Sequence, residues 1–172
     1  MMYSMKHVEF QEMTQKDVEL LYEAVKVAHE SMLGGNHPFG AILADEDGNV
    51  LLTQGNCSSE TSPCLHAETQ LMIKAGGMFS PQKLEKCTLY STAEPCVMCS
   101  GAMYWTNVRR LVYGISERQL LALTGSNDLN PTFDLPCEEV FEKGQKDVVI
   151  CGPTKDEALI AAIVEDHRCF WK

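Results

Sequence analysis

Segments with helical and strand patterns alternate along most of this chain, and their order limits its fold more than any other feature. A helical apolar period follows Thr14, and "FGAILAD" and "NVLLTQGN" then flank the turn "EDG" as a predicted β-hairpin. Helical segments separate three further strand patterns, "CTLYST", "RRLVYGI" and "DVVICG". Because such alternation places helices against both faces of one sheet, the sequence predicts a three-layer α/β/α fold with one mixed five-stranded sheet.

Local signals predict where the first helices begin and end. Thr14 with Asp17 makes a capping box at the start of the first helix, and Gly34-Gly35 is expected to stop it. The segment "HAETQLMIKA" is a second predicted helix, which Gly76-Gly77 is expected to end.

The length and hydropathy of the chain indicate its class. Its 172 residues suit a single domain spanning 1–172, which can bury about 70% of its unfolded surface without disulfides. No apolar run approaches the ~20 residues of a membrane span. The start, "MMYSMKHVEFQEMTQ", lacks the apolar core of a signal peptide. We therefore expect a cytoplasmic protein with reduced thiols and no membrane partner.

The charge of the chain argues against a large polyanionic partner. It has 14 basic and 24 acidic residues, which give a net charge of −10. Nucleic-acid binders gain much of their affinity by neutralising phosphates with a basic surface. We therefore expect a small-molecule substrate and no nucleic-acid partner.

Two of the eight cysteines have a spacing that carries chemistry. Cys96 and Cys99 follow Pro95 in "EPCVMCSGAM", and on a helix they share one face of its first turn. Unpaired N–H groups and the helix dipole favour thiolates there. Such a pair suits half of a metal site and a redox-active dithiol equally well.

An upstream motif supplies a third metal ligand. "HAE", residues 66–68, also opens a predicted helix, so two helix N-termini can meet at one point. His66, Cys96 and Cys99 would leave a tetrahedral zinc one ligand short, as in catalytic sites that keep a position for water. Glu68 is then placed to transfer protons beside the metal.

His-x-Glu followed by Pro-Cys-x-x-Cys resembles the cytidine deaminase-like zinc deaminases, among them bacterial guanine deaminases and tRNA adenosine deaminases. The similarity runs from "PFGAILAD" through "GNCSSETSPCLHAE" to "LYSTAEPCVMCSGAMYWTNVRRLVYG". It implies a cytidine deaminase-like fold and one Zn²⁺ per chain, held by His66, Cys96 and Cys99. It also implies that Glu68 moves protons while water replaces an amino group of a base and ammonia leaves.

The same resemblance nominates five substrate-binding residues. It implies that Asn56 hydrogen-bonds the base, Phe39 and Trp105 line its pocket, and Asp128 accepts from purine N–H groups, with Ala67 beside the metal motif. Four of the five have a simpler alternative: a turn asparagine for Asn56, core packing for Phe39 and Trp105, and a solvated loop for Asp128.

Four functions remain open on the sequence alone. The first is deamination of guanine or a guanine-like base, followed by tRNA wobble-adenosine deamination, deamination of cytosine or another aminated heterocycle, and a non-catalytic zinc-stabilised or redox domain. The acidic charge favours a free base over tRNA, and Glu68 favours an enzyme over a structural site. A homodimer is expected from the resemblance and from the aromatic residues Tyr104, Trp105, Phe170 and Trp171.

Overall fold

The computed structural model describes residues 7–171. Its elements in chain order are β1 Val8–Phe10, α1 Gln15–Leu33, β2 Gly40–Ala44, β3 Val50–Gly55, α2 Ala67–Met78, α3 Pro81–Leu84, β4 Thr88–Ala93, α4 Val97–Thr106, β5 Arg110–Ile115, α5 Glu117–Thr124, α6 Cys137–Phe141, β6 Val148–Cys151 and α7 Glu157–Phe170.

The strands form one mixed sheet in the order β1-β6-β5-β4-β2-β3. Strands β1, β6, β5 and β4 run parallel, while β2 pairs antiparallel with both β4 and β3. The mixed sheet and its hairpin are confirmed, but the sheet has six strands rather than the predicted five. The additional strand is β1, a three-residue edge strand in which only Val8 is buried. So short a strand leaves no alternating pattern in the sequence.

Two apolar clusters lie on opposite faces of the sheet, which confirms the three layers. Helices α2, α3, α4 and α6 pack on one face around Leu71, Met103 and Phe141. Helices α1, α5 and α7 pack on the other face around Leu21 and Ile163. Neighbouring residues of β2 alternate between the clusters, because successive strand side chains point to opposite faces. Within residues 7–171, no helix combines the length and apolar character needed to cross a bilayer.

The start of α1 is tied to the middle of the sheet. The predicted capping box is confirmed: the Thr14 hydroxyl accepts from the Asp17 N–H, and the Asp17 carboxylate accepts from the Thr14 N–H. Asp17 also accepts two 2.8 Å hydrogen bonds from the Arg110 guanidinium and one from the Tyr90 hydroxyl. Burial alone would raise the pKa of Asp17, but Arg110 and the other donors hold it at about 2.

Two pairs of glycines behave differently at helix ends. The helix α1 ends at Leu33, directly before Gly34-Gly35, as the sequence predicts. The helix α2 instead continues through Gly76 and Gly77 to Met78. A Cβ on Gly76 would meet the Thr106 side chain of α4 at 3.6 Å, so this part of α2 packs closely against α4. Tertiary packing therefore outweighs the local preference of glycine for a helix end.

Candidate functional site

The starts of α2 and α4 bring the two sequence motifs together. His66 is the N-cap residue of α2, and Cys96 is the N-cap residue of α4, with Cys99 in its first turn. The His66 side chain makes no capping hydrogen bond to α2, and the Cys96 side chain lies against Cys99 in the first turn of α4. The imidazole and the two sulfur atoms therefore face one another, although N-cap side chains usually satisfy first-turn N–H groups.

The three ligand atoms have the spacing that zinc requires. His66 Nδ1 lies 3.6 Å from both Cys96 Sγ and Cys99 Sγ, and all three atoms lie within 4.8 Å of one another. Tetrahedral zinc, with Zn–N near 2.05 Å and Zn–S near 2.3 Å, separates a nitrogen from a sulfur ligand by about 3.6 Å. The donor set and its spacing thus fit a zinc ion with three protein ligands.

The electrostatics of the cluster favour a thiolate on Cys96. The Cys99 thiol stabilises this thiolate most, and the His66 ring adds to it, so the pKa of Cys96 falls to about 4 despite burial. The same contact and burial raise the pKa of Cys99 well above its usual range. The thiolate also raises the pKa of His66. Zinc binding replaces these shared protons, because zinc takes thiolates and a neutral imidazole.

Glu68 lies beside the ligands and is 5% exposed. Its Oε1 accepts a 2.7 Å hydrogen bond from the Ser91 hydroxyl of β4, and its Oε2 lies 3.4 Å from Cys99 Sγ. Burial raises the pKa of Glu68 above the usual value for a carboxyl group. The carboxyl group is therefore held next to the metal ligands, with one oxygen fixed and the other directed towards them.

A cavity of about 650 Å³ opens beside the ligands and Glu68. Its walls come from five parts of the chain: His37 and Phe39 before β2, the loop 57–65, the start of α2, the turn from Ala93 to Met98, and residues 117–133. Since His66, Cys96 and Glu68 all line this cavity, a molecule bound there would contact the metal ligands and the acid together.

The structure places two of the five nominated substrate residues in this cavity. Phe39 and Asp128 line it. Asn56 is buried, and its side-chain oxygen accepts from the Ser58 N–H and hydroxyl, which is the geometry of a turn asparagine. Ala67 is fully buried as the first residue of α2.

Trp105 does not line the cavity of its own chain. It is 81% exposed on α4, and it makes an edge-to-face contact with Tyr104. Within residues 7–171, Trp105 therefore contributes no surface to this cavity, and a role for it in substrate binding stays a prediction. At position 105 the helix has turned its side chain away from the cluster and towards solvent.

Sequence reasoning missed two further buried acids that line the cavity, Glu94 and Glu117. Glu117 is the first residue of α5, lines the cavity and is 3% exposed. Among residues 7–171, its carboxyl group has no hydrogen-bond or ion-pair partner. Burial, with Cys96 and Glu68 nearby, raises its pKa to about 8. In the sequence, "SERQ" is indistinguishable from an exposed capping box, which is why this acid gave no signal.

Aromatic side chains from the end of α7 adjoin the cavity. The His37 ring lies 4.8 Å from Trp171 and 5.3 Å from Phe170, between ring centres. His167 packs against Phe39 and accepts a 2.9 Å hydrogen bond from Trp171 Nε1. Burial lowers the pKa of His167 to about 4, so it packs here as a neutral ring. The end of the chain thus supports the wall formed by His37 and Phe39.

Comparisons with known proteins agree with this geometry. Residues 14–115 match the family model described as the cytidine and deoxycytidylate deaminase zinc-binding region. The chain is 36% identical to a probable cytosine deaminase of Schizosaccharomyces pombe over 163 residues, which are 93% of this chain and 95% of the relative. It is 33% identical to guanine deaminase of Bacillus subtilis over 122 residues, which are 69% and 78% of the two chains. The guanine deaminase structure from Nitrosomonas europaea shares the fold, with a TM-score of 0.70 at 20% identity over 92% of this chain and 88% of that one.

Proposed function

This chain belongs to the cytidine and deoxycytidylate deaminase family and is a zinc-dependent hydrolytic deaminase of nucleobases or nucleosides, and we propose that it acts on guanine or a guanine-like free base. We propose that residues 1–172 form a single deaminase domain. In the reaction, water replaces the amino group of a ring carbon, so the products are the oxo base and ammonia.

His66, Cys96 and Cys99 would hold the zinc, and Glu68 would handle the protons. Bound zinc supplies Lewis acidity, which lowers the pKa of water to about 7 and makes a nucleophile available at neutral pH. Glu68 Oε2 would take one proton from water and deliver it to the ring nitrogen. It would then carry the second proton, from the hydroxyl group added to the ring carbon, to the departing amine, which leaves as ammonia while the oxo group forms. Ser91 holds Oε1 throughout, which keeps the other oxygen directed at the reacting atoms.

The observation that carries the choice of base is the buried acid Glu117, which lines the cavity and has no partner for its carboxyl group among residues 7–171. Glu117 and Asp128 line the same cavity as Glu68 and offer carboxyl oxygens to a bound molecule. The amino group of guanine is the group that leaves, so it would face the metal ligands and Glu68, while a ring N–H of the purine is left for one of these carboxyl oxygens. Phe39 supplies an apolar surface for the flat ring, and the cavity of about 650 Å³ has room for a purine.

An ammonia-release assay over a panel of bases and nucleosides tests this function. Guanine, cytosine, adenine and their nucleosides are offered to the zinc-loaded protein, with Glu68→Gln as the inactive control. We expect the highest kcat/KM with guanine. Turnover of cytosine with none of guanine would contradict the proposal.

Cytosine is the second candidate, and one observation favours it. The similarity to the probable cytosine deaminase of Schizosaccharomyces pombe covers 93% of this chain and 95% of the relative, more of both chains than the similarity to guanine deaminase of Bacillus subtilis covers. Cytosine also carries a ring N–H group, which can donate a hydrogen bond to the Glu117 carboxyl group. The same panel separates the two bases directly.

The charges of the chain support a free base rather than tRNA. Basic residues at the starts of β4 and β5 pair with acids: Arg109 with Glu85, Arg110 with Asp17, and Lys86 with Glu46. Paired cations are poor phosphate ligands. A tRNA substrate would also bind more weakly as salt rises, because neutralised phosphates release counterions. Inosine formation in an anticodon stem-loop, suppressed by salt, would overturn this part of the proposal.

We also propose a homodimer through the outer faces of α2 and α4. Ile73, Met78 and Trp105 are 66%, 63% and 81% exposed on these two packed helices. Sedimentation should give twice the 19.1 kDa of one chain, and Trp105→Ser should shift the protein towards monomer. Leu33→Ser is the control, since Leu33 is also exposed but lies at the end of α1. A wild-type monomer at micromolar concentration would contradict the dimer.

A further inference from the structure

Glu94 lines the cavity between the proposed metal ligand Cys96 and the part of the wall formed by residues 117–133. It directly precedes Pro95 and Cys96, and it is 5% exposed. Its N–H donates a 2.7 Å hydrogen bond to the Ile115 carbonyl, at the end of the neighbouring strand β5. In the described part of the chain, no Lys, Arg or His side chain pairs with it. A buried carboxylate in this position needs other donors.

Those donors are two main-chain N–H groups. Glu94 Oε2 accepts from the Glu117 N–H at 2.8 Å, and Oε1 accepts from the Cys137 N–H at 2.7 Å. Glu117 and Cys137 are the first residues of α5 and α6. The first N–H groups of a helix have no acceptor within the helix, and a carboxylate there is also favoured by the helix dipole. One side chain therefore satisfies the starts of two helices.

Residues 118–136, here called the wall segment, join these two helix starts and contain the cavity-lining residues 128–133. Its own polar contacts are local. Arg118 pairs with Asp134, and Asn130 and Thr132 hydrogen-bond each other. Among residues 7–171, hydrogen bonds of the wall segment have partners only within 116–140. The two bonds to Glu94, at the residues flanking it, are thus its polar attachment to the sheet.

We propose that Glu94 is a positioning residue, which holds both ends of the wall segment in register with the neighbouring metal ligand Cys96. A base bound against residues 128–133 is then kept at a fixed distance from Glu68. Glu94 acts through the main chain of Glu117 and Cys137, because its own oxygens are already engaged. This inference rests on the proposed function in one respect only, which is the identity of the base that binds in the cavity.

Glu94→Gln tests the proposal while keeping the shape of the side chain. Glutamine offers one acceptor oxygen and an NH₂ group, so one helix-start N–H loses its acceptor and faces a donor. We expect amide hydrogen exchange at residues 117 and 137 to accelerate by about tenfold or more. KM should rise by about tenfold, with a smaller change in kcat, and the protein should retain one zinc per chain.

Glu139→Gln is the matched control. Glu139 is an exposed acid in the first turn of α6, so its loss removes a similar charge near the same helix start without touching the bond to Glu94. We expect wild-type exchange and wild-type KM. Equal effects of the two substitutions would show a general charge effect and overturn the proposal.

A second pair of variants leaves Glu94 intact, in case Glu94→Gln fails to fold. Cys137→Pro and Cys137→Ala both remove the thiol, but only proline removes the N–H. Proline suits the first position of a helix, and Pro136 before it already has the extended backbone that a following proline requires, with φ −60° and ψ 140°. We expect a higher KM for Cys137→Pro than for Cys137→Ala. Equal KM values would overturn the proposal.

The two measurements separate this inference from the proposed function. KM is measured with whichever base the wild-type protein deaminates, so a wrong choice of guanine does not affect the comparison. Amide exchange needs no substrate at all. Unchanged exchange at residues 117 and 137 in Glu94→Gln, altered exchange with unchanged KM, or loss of zinc would each overturn the positioning role.

Discussion

Ser91 donates a 2.7 Å hydrogen bond to Glu68 Oε1 in the buried space between β4 and α2. Both residues are almost fully buried, at 1% and 5% exposure. The hydroxyl therefore fixes one carboxyl oxygen of the proposed acid–base residue and leaves the other directed at the metal ligands. Orientation of a catalytic group by such a neighbour affects its rate constant more than it affects binding.

Glu68→Gln should retain zinc and fold but lose turnover by about 10² to 10⁴-fold, because an amide cannot carry the proton. Ser91→Ala should lower kcat by about tenfold, since Glu68 keeps its charge but loses one orienting bond. Ammonia release and zinc content are measured together. Near-normal kcat in Glu68→Gln would rule out the role proposed for it.

Cys99→Ser should weaken zinc binding and lower Tm, because a hydroxyl is a poorer zinc ligand than a thiolate and metal binding contributes to folding. Cys169→Ser is the control, since Cys169 is exposed at the end of α7. Metal analysis and thermal unfolding, with and without a chelator, give the comparison. Equal zinc content in the two variants would remove Cys99 from the ligand set.

Asp17 predicts a loss of stability at acid pH. Its pKa is about 2 in the folded protein, below the ordinary value of 3.8. A lowered folded pKa stabilises the protein above pH 3.8, and that contribution disappears as pH falls from about 4 to 2. Asp17→Asn should lower Tm at neutral pH and flatten the pH dependence in this window. Asp47→Asn, at an exposed turn, should keep the wild-type profile.

Two glycine substitutions should change stability in opposite directions. A Cβ on Gly40 would lie 2.3 Å from the Ala24 carbonyl oxygen and 2.5 Å from the Ala28 nitrogen, so β2 approaches α1 too closely for any side chain. Gly40→Ala should therefore lower the free energy of unfolding by several kcal/mol, of the order seen for overpacked cores. Gly77 lies inside α2 with no atom within 4 Å of its added Cβ. Gly77→Ala should stabilise by about 0.5–1 kcal/mol, and urea unfolding measures both.

The metal centre could be predicted from the sequence because each of its parts is local. His66 and Glu68 are separated by one residue, Cys96 and Cys99 by two, and each motif opens a helix from an N-cap residue with extended backbone. The contact between the two helix starts is the one part of the metal centre that depends on the tertiary structure. The alternation of strands and helices in the sequence is consistent with that contact.

The surroundings of the other candidate site residues could not be predicted in the same way. The environment of Glu117 depends on Glu94, which lies 23 residues away in the chain. Trp105 occupies a helix whose rotation, rather than its composition, decides what the side chain faces. Asn56 is occupied by Ser58, two residues away, although its position after β3 suggested a ligand. The environment of Glu117 and the orientation of Trp105 depend on long-range packing, which leaves no periodic signal in the sequence, whereas the contact of Asn56 with Ser58 is a local turn.

Because the proposed zinc ligands His66 and Cys96 occupy the N-cap positions of α2 and α4, a bound ion would engage the side chains that usually cap a helix start. Zinc binding would then contribute to the stability of both helix starts. Stability conferred by a ligand grows with its free concentration relative to its Kd. The amount of folded protein in a cell should therefore follow the supply of free zinc, so that scarcity removes the enzyme through proteolysis of the metal-free chain as well as through loss of catalysis.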